Sequence, residues 1–571
     1  MARYFVFLLL LAHGAQAQDP LRIQHLQRCG DLLGEGPRHW CLRAQGMGQD
    51  TPEVWLGGQR LADQAVERRG DTLEFVLENP GQASAPVWLQ VGEQQSNPVW
   101  LTRHASHVVA AGPAEVAKNM DGLTTYLDLV SLLIEEKHDG LSEARRIAEK
   151  FGAKVVGAIP PLNIYQLRLP VQDLVQRDAM LLRMGSELSV DAVVIEESAP
   201  ERGEEGAGKD KAQVDQADEW AANRFIDALY YYQQRIPATA IPVQPVRIGV
   251  IERELDFDAA AFTAYRGACT LPSTCLYGRD GDRPQGHGSH VAGILAARGE
   301  GAAGGFLTGL GNASPGFEVI VERNSDAGIT ANIAASVNLV EDGVKVLNWS
   351  WGIHRVGARD VKGDEIDSLV RSGLAMSGYE ELLEEFFLWL RVKHPDVVVV
   401  NSAGNGASWS GTDEYRLPSS FITEQLLVVG GHQRSERDVP VQDPRHVTKR
   451  ASSNIDMRVD VSAAACLQPS QADKAYCGTS YATPLVAATV AAMRSINPGL
   501  TPEQLRMLLR RSALTLGPRQ DFEAMDAEDL TAPILPSERN GQLDDPDLGR
   551  SARLDMQRAL DLAVQSRERV R

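Results

Sequence analysis

The run VRIGVIERELDFD, Val246 to Asp258, decides the fold class. Its first half is apolar almost throughout, without the alternation of a strand that faces water on one side, so it reads as a strand buried on both faces. FEVIVER (317–323), KVLNWSWG (345–352), VVVVNSAGN (397–405), LLVVGG (426–431) and VDVSAAA (459–465) repeat that reading. Helix-length segments separate them, starting at His290 and Ile329, ending at His394, and starting again at Ser480. Buried strands joined by helical crossovers predict an α/β fold, a parallel sheet with helices on both faces. Functional groups then collect at the carboxyl ends of the strands.

Working outward, the rest of the chain divides into smaller units. The first residues, MARYFVFLLLLAHGAQAQ, carry one positive charge, an apolar run and small residues at Ala15 and Ala17. That is the layout of a signal peptide over 1–17, so the mature protein is expected to be exported, to a periplasm or the extracellular medium. No other stretch is apolar for long enough to span a bilayer. Residues 18–105 hold short runs such as VWLGG, LEFVL, VWLQV and PVWLT between turn-rich segments, which predicts a small β-sandwich of immunoglobulin-like type with Trp55, Trp88 and Trp100 in its core. Residues 118–198 interleave helix and strand signals, with SEARRIAEKFG ending at a glycine suited to a left-handed cap, and predict a small α+β unit. The stretch 199–218 is charged and nearly free of apolar residues, a linker, and 219–566 forms the large α/β domain.

Composition limits the chemistry. The 571 residues carry a net charge of −19, which argues against a nucleic acid partner, since phosphate binding needs clustered Lys and Arg. Six cysteines fall in sequence-close pairs, Cys29 with Cys41, Cys269 with Cys275, and Cys466 with Cys477, as local disulfides in an oxidising compartment would, although spacing leaves other pairings open. No CxxC and no HExxH is present. His287 and His290 lie three apart on a helix, but no acidic third ligand is placed by spacing, so zinc is not expected and His290 is expected to pack or hydrogen-bond beneath His287. No cofactor is implied.

Three strand ends carry informative residues. GTSYATPLVAA puts Ser480 at the start of an apolar helix; GHGSHVAGILAA places His287 among small residues; NSAGNG sets Asn405 at a glycine-flanked turn. A serine needs a base to attack, and the anionic intermediate needs preorganised donors.

GHGSHVAG, NWSWG, SAGN and GTSYATP, in this order and at these separations, resemble the subtilisin-like serine proteases, the subtilases. The resemblance spans Trp220 to Gln565, with Tyr481 where that family usually has Met and Ser289 where it has Thr. It implies a Ser-His-acid triad with Ser480 as nucleophile and His287 as base. Asn405 and the Ser480 N–H become the oxyanion donors, and Ser350, Trp351, Gly352, Ser402, Ala403 and Gly404 the walls of the main specificity pocket. Partners would be protein or peptide substrates. Many subtilases bind structural calcium, yet no oxygen-ligand cluster here has a spacing that assigns one. The unit 118–198 resembles the inhibitory propeptide of such enzymes, which implies autoprocessing near the linker after Glu197.

One position departs from the pattern. The family's first strand ends in an aspartate that orients the histidine; here Glu252 occupies that place, followed by Arg253 and Glu254 instead of small residues. Glutamate keeps the charge and adds a methylene. Two readings follow, a working exported endopeptidase with a Ser-His-Glu triad, or a catalytically weak or inactive subtilase-fold peptide binder. A third makes the β-sandwich the functional part. Finally, the stretch from Ile353 to Pro395 is longer than a crossover requires, with its helical part at 379–394.

Overall fold

Alternate side chains of Val246–Glu252 enter two different hydrophobic cores: Ile248 and Val250 join the one built on the helices Phe225–Ala238, Gly286–Ala296, Thr479–Ile496 and Met556–Glu568, while Ile251 joins the other, with Gly328–Glu341 and Gly373–Lys393. The strand is therefore buried on both faces, as its composition predicts. The computed structural model describes residues 19–29, 39–49, 51–77, 83–198, 214–252, 255–278, 286–299, 301–323, 328–360, 364–366, 370–408, 416–435, 438–454, 459–468, 475–515 and 552–568. The signal-peptide segment 1–17, most of the linker, and Arg253 with Glu254 lie outside them.

Strands run Cys275–Tyr277, Phe317–Arg323, Val246–Glu252, Val346–Trp349, Val398–Ser402, Leu426–Arg434, Val461–Ala464 and Ala552–Arg553 across the large sheet, every neighbouring pair parallel. Leu514–Thr515 closes one edge antiparallel, and Val447–Lys449 pairs antiparallel with Leu426–Arg434. Parallel order puts the carboxyl ends together, so Glu252, Trp349 and Ser402 finish on one rim.

The long crossover differs from its predicted extent. Its helix runs from Gly373 to Lys393, starting ahead of Tyr379 because the Ser372 side chain accepts from Ala375 N and caps it there. The looser segment forms a small sheet, Val370–Arg371 beside Ile353–Arg355 beside Arg416–Leu417, at the sheet's carboxyl rim. Elsewhere local signals are met: Gly152 caps Gly140–Phe151 at φ 68°, and Thr501 with Gln504 forms a capping box on Pro502–Ser512.

Upstream, Arg22–Cys29, His39–Gln45, Thr72–Val76 and Val66–Arg69 make one antiparallel sheet; Gln59–Arg60, Glu53–Leu56, Ala85–Val91 and Gln94–Gln95, with Val99–Leu101 on Ala85–Val91, make another. A separate apolar core includes Leu42, Phe75 and Leu89. Trp100 leaves that core: its indole packs in the second large core, and Nε1 donates to Asp342 Oδ2 at 2.7 Å. Trp55 stacks on Trp88 and stays half-buried.

The next unit pairs Thr124–Ile134 with Val116–Lys118, Ile164–Arg168 and Val190–Ser198, and Ile164–Arg168 with Lys154–Ile159, all antiparallel. Asp139 and Asp173 cap its helices Gly140–Phe151 and Leu174–Met184. Val190–Ser198 lies against the helices Gly328–Glu341 and Gly373–Lys393, and the two units share one core. Cys29–Cys41, Cys269–Cys275 and Cys466–Cys477 are disulfides. Among the described residues no helix is long and apolar enough to cross a membrane.

Candidate active site

Strand and helix ends bring the predicted residues to one rim. Glu252 ends its strand with 8% of its surface exposed, and its Oε2 accepts from His287 Nδ1 at 2.9 Å. His287 is the second residue of Gly286–Ala296, where small neighbours let the helix pack against Thr479–Ile496. When the neutral ring gives Nδ1–H to the carboxylate, Nε2 is left as the acceptor. His290 lies beneath, its ring 4.5 Å from Tyr476 between centroids; burial, helped by His287, pulls it down to about 4.

Ser480 is the second residue of Thr479–Ile496. Its hydroxyl donates to Ser350 O at 3.1 Å, and Ser350 Oγ donates back to Ser480 O at 2.9 Å. The structure thus joins Glu252 to His287 and joins Ser480 to the pocket wall, with the serine hydroxyl turned to that wall and not to the base. Its N–H sits in the first turn, where amides have no intrahelical acceptor.

Asn405 is held from one side only. Its Oδ1 accepts from Thr479 N at 2.9 Å and Thr479 Oγ1 at 3.2 Å, with Arg450 Nη1 at 3.4 Å. A backbone donor on Oδ1 fixes which way the amide faces, so Nδ2 points away, toward Gly478, and keeps both protons available. Arg450 is fully buried. Cys466 and Cys477 pair as a two-residue antiparallel ladder directly ahead of Gly478, whose N donates to Ala465 O at 2.8 Å.

The two wall segments face each other across this rim. Asn401 Nδ2 donates to both Trp349 O and Trp351 O at 2.8 Å, fixing Ser350 to Gly352. Ala403 O and Gly404 O accept from Asn454. Gly404 has φ 105°, which a side chain would strain, and a methyl group there or on Gly352 would overlap Arg416. Arg416 is 3% exposed, donates to Ser402 O at 2.7 Å and Ser419 Oγ at 2.8 Å, and is pulled down to about 9 by burial.

Sequence reasoning missed four contributors: Thr479, Asn401, Arg450 and Arg416. Thr479 lies inside the quoted serine motif and Asn401 directly precedes SAG, so position could have found both. Arg450 and Arg416 come from segments with no motif, and only the tertiary fold brings them here. Among the described residues no group of three or more His, Cys, Asp or Glu is placed to hold a metal ion.

Residues 274–544, just under half of the chain, match the model of the "Subtilase family". Subtilisin E of Bacillus subtilis is 25% identical over 302 residues, 52% of this chain and 69% of its own length; subtilisin of Bacillus pumilus is 26% identical over 48% and 85%. Among solved structures, fervidolysin of Fervidobacterium pennivorans aligns over 81% of this chain and 65% of its own, at 16% identity and TM-score 0.47.

Proposed function

We propose that this chain, whose residues 274–544 match the subtilase family model, is an exported serine endopeptidase working through a Ser480-His287-Glu252 triad. The observation that carries this reading is the 2.9 Å hydrogen bond from His287 Nδ1 to a Glu252 carboxylate that is nearly buried. The glutamate's carboxylate, one methylene further from its backbone than an aspartate's, reaches the imidazole from the strand end, which supports a working triad.

In this mechanism substrate entry turns the Ser480 hydroxyl from Ser350 O to His287 Nε2. Ser480 Oγ attacks the scissile carbonyl as its proton passes to Nε2, and Glu252 stabilises the resulting imidazolium. Negative charge on the carbonyl oxygen is met by Asn405 Nδ2 and the Ser480 N–H. The imidazolium then protonates the leaving amine, and water repeats the sequence to release the acyl group. The main pocket lies between Ser350–Gly352 and Ser402–Gly404. The unit 118–198 acts as an inhibitory propeptide, a reading supported by its docking on two helices of the large domain. Three disulfides and the N-terminal sequence support export.

A second reading, a peptide-binding protein without turnover, draws on the Ser480 hydroxyl resting on Ser350 O. A fluorophosphonate probe separates the two. Covalent labelling of the parent, lost in Ser480→Ala, establishes the nucleophile; an unlabelled parent beside a labelled Glu252→Asp variant identifies the glutamate as an inactivating substitution.

A further inference from the structure

The pocket that the proposed mechanism assigns to the substrate has a cation at its base. Arg416 reaches between the two wall segments from the short strand Arg416–Leu417, and the absence of a side chain at Gly352 and at Gly404 is what lets its guanidinium lie there. The group is 3% exposed, and burial alone lowers it to about 9, so it stays charged at neutral pH. No carboxylate is paired with it among the described residues. The nearest titratable neighbour, His354, is itself held neutral: burial, with the Arg416 charge second, takes it down to about 3.

A buried cation without a counter-ion is costly, and the cost persists unless something outside the fold supplies the anion. The donor inventory shows where that anion would sit. Nη1 is satisfied by Ser402 O at 2.7 Å and Ser419 Oγ at 2.8 Å. Nη2 has one long contact, Ser402 Oγ at 3.5 Å, and Nε is buried with no acceptor. The Nε–Nη2 edge is therefore the open one, and two parallel N–H groups on that edge match the two oxygens of a carboxylate. Trp351, half-buried beside this slot, offers an apolar face for the methylenes of an incoming side chain.

We infer that Arg416 makes this pocket select an acidic side chain, Glu or Asp, at the residue whose carbonyl Ser480 attacks. The inference rests on the proteolytic reading above. Pockets lined only by apolar groups have no acceptor requirement, whereas here an apolar side chain would leave the buried Nε–Nη2 donors unpaired and an amide would bring one oxygen for two donors. The chain carries candidate sites of its own: the segment after Ser198 reads APERGEEG, with Glu201, Glu204 and Glu205, and a cut after one of them would separate the unit 118–198 from the large domain.

The test uses the full chain and a matched series of peptide amides differing only at that residue: Glu, Asp, Gln, Ala, Leu, Phe and Lys. Parent, Arg416→Met and Arg416→Lys are compared, with fluorophosphonate labelling of Ser480 as the measure that each is folded and reactive. The parent should favour Glu over Gln by about 10- to 100-fold in kcat/KM, the range of a charged hydrogen bond. Arg416→Met should erase that ratio while keeping or raising turnover of Leu, and Arg416→Lys should retain part of it. Sequencing of the processed form should place its new N-terminus after Glu201, Glu204 or Glu205. A labelled parent that prefers Leu, Phe or Lys overturns the inference, and so does one that accepts only Ala, which would mean that Arg416 fills the slot. A parent that neither labels nor cuts overturns the proteolytic reading itself, and the inference with it.

Discussion

Replacing Glu196 by Ala should loosen the unit 118–198 from the large domain by about 3 kcal/mol, for reasons that can be counted. Glu196 Oε2 accepts from Ile329 N at 3.1 Å and from Tyr379 OH at 2.9 Å, and Oε1 accepts from Thr330 N at 2.9 Å and from the Thr330 hydroxyl. It caps the helix Gly328–Glu341 across the junction. Removing it strands two backbone N–H groups and the Tyr379 hydroxyl in a buried place, at about 1–3 kcal/mol each. Part is returned, because burial opposes the charged carboxylate and pushes its pKa up. A net loss of about 3 kcal/mol is about 10²-fold in the docking equilibrium. The assay is hydrogen exchange in a Ser480→Ala background, which keeps the chain intact. The amide to watch is Ser372 N, which donates to Glu197 Oε2 at 2.8 Å and does not touch Glu196. Peptides over 370–376 should exchange about 10²-fold faster, while Leu426–Arg434 is unchanged. A change below about threefold at Ser372, or equal acceleration in both places, refutes the reasoning.

Glu252→Gln keeps the shape but lets the side-chain amide face His287 Nδ1, so kcat should fall by about 10⁴-fold, as expected when the wrong tautomer is held; steady-state kinetics decides, and an unchanged rate removes Glu252 from the mechanism. Asn405→Ala should lower kcat about 10²- to 10³-fold with little effect on KM. For pH, the sign follows from His290, whose folded-state value is depressed to about 4 from 6.5. The folded form binds its proton less readily than the unfolded chain, so stability from this group is full above about 6.5 and is lost as pH falls toward about 4. Thermal unfolding midpoints should drop across that window, and His290→Gln should flatten the drop. Cys466→Ala with Cys477→Ala should slow labelling of Ser480 more than it lowers the unfolding midpoint, since the ladder holds the turn at Gly478.

How far the sequence carried depended on whether each signal was local. The strand Val246–Glu252 could be read because both of its faces are apolar, and the caps at Gly152 and Thr501 could be read because a few adjacent residues determine them. Ser480 and His287 stood out through motifs that open helices, and Asn405 through the turn that follows a strand. The start of Gly373–Lys393 was missed because its apolar spacing weakens before Tyr379, where a single serine cap decides the boundary. Trp100 was expected in the sandwich core, yet it serves the junction with the large domain, a choice made by tertiary contact with Asp342 and Arg247. Glu196 and Glu197 read as the polar end of a strand, and nothing in their neighbourhood announces two helix ends waiting for a carboxylate.

The residues that the sequence left silent also complete the electrostatics of the site. Glu252 holds its carboxylate on His287, where the proposed reaction would develop an imidazolium. Arg450, fully buried, lies 3.4 Å from Oδ1 of Asn405, the residue proposed to meet the oxyanion with its Nδ2. The amino end of Thr479–Ile496 adds its partial positive charge at the same place. In the proposed mechanism, charge separation in the transition state would run along a field already fixed in the ground state, and such preorganisation lowers a barrier of that kind. A chain with a net charge of −19 has carboxylates to spare on its surface, yet among the described residues none is paired with Arg416. The buried Arg416 cation is a cost to folding that an incoming carboxylate would offset, so on the proposed reading the cost falls at the pocket where substrate choice would be made.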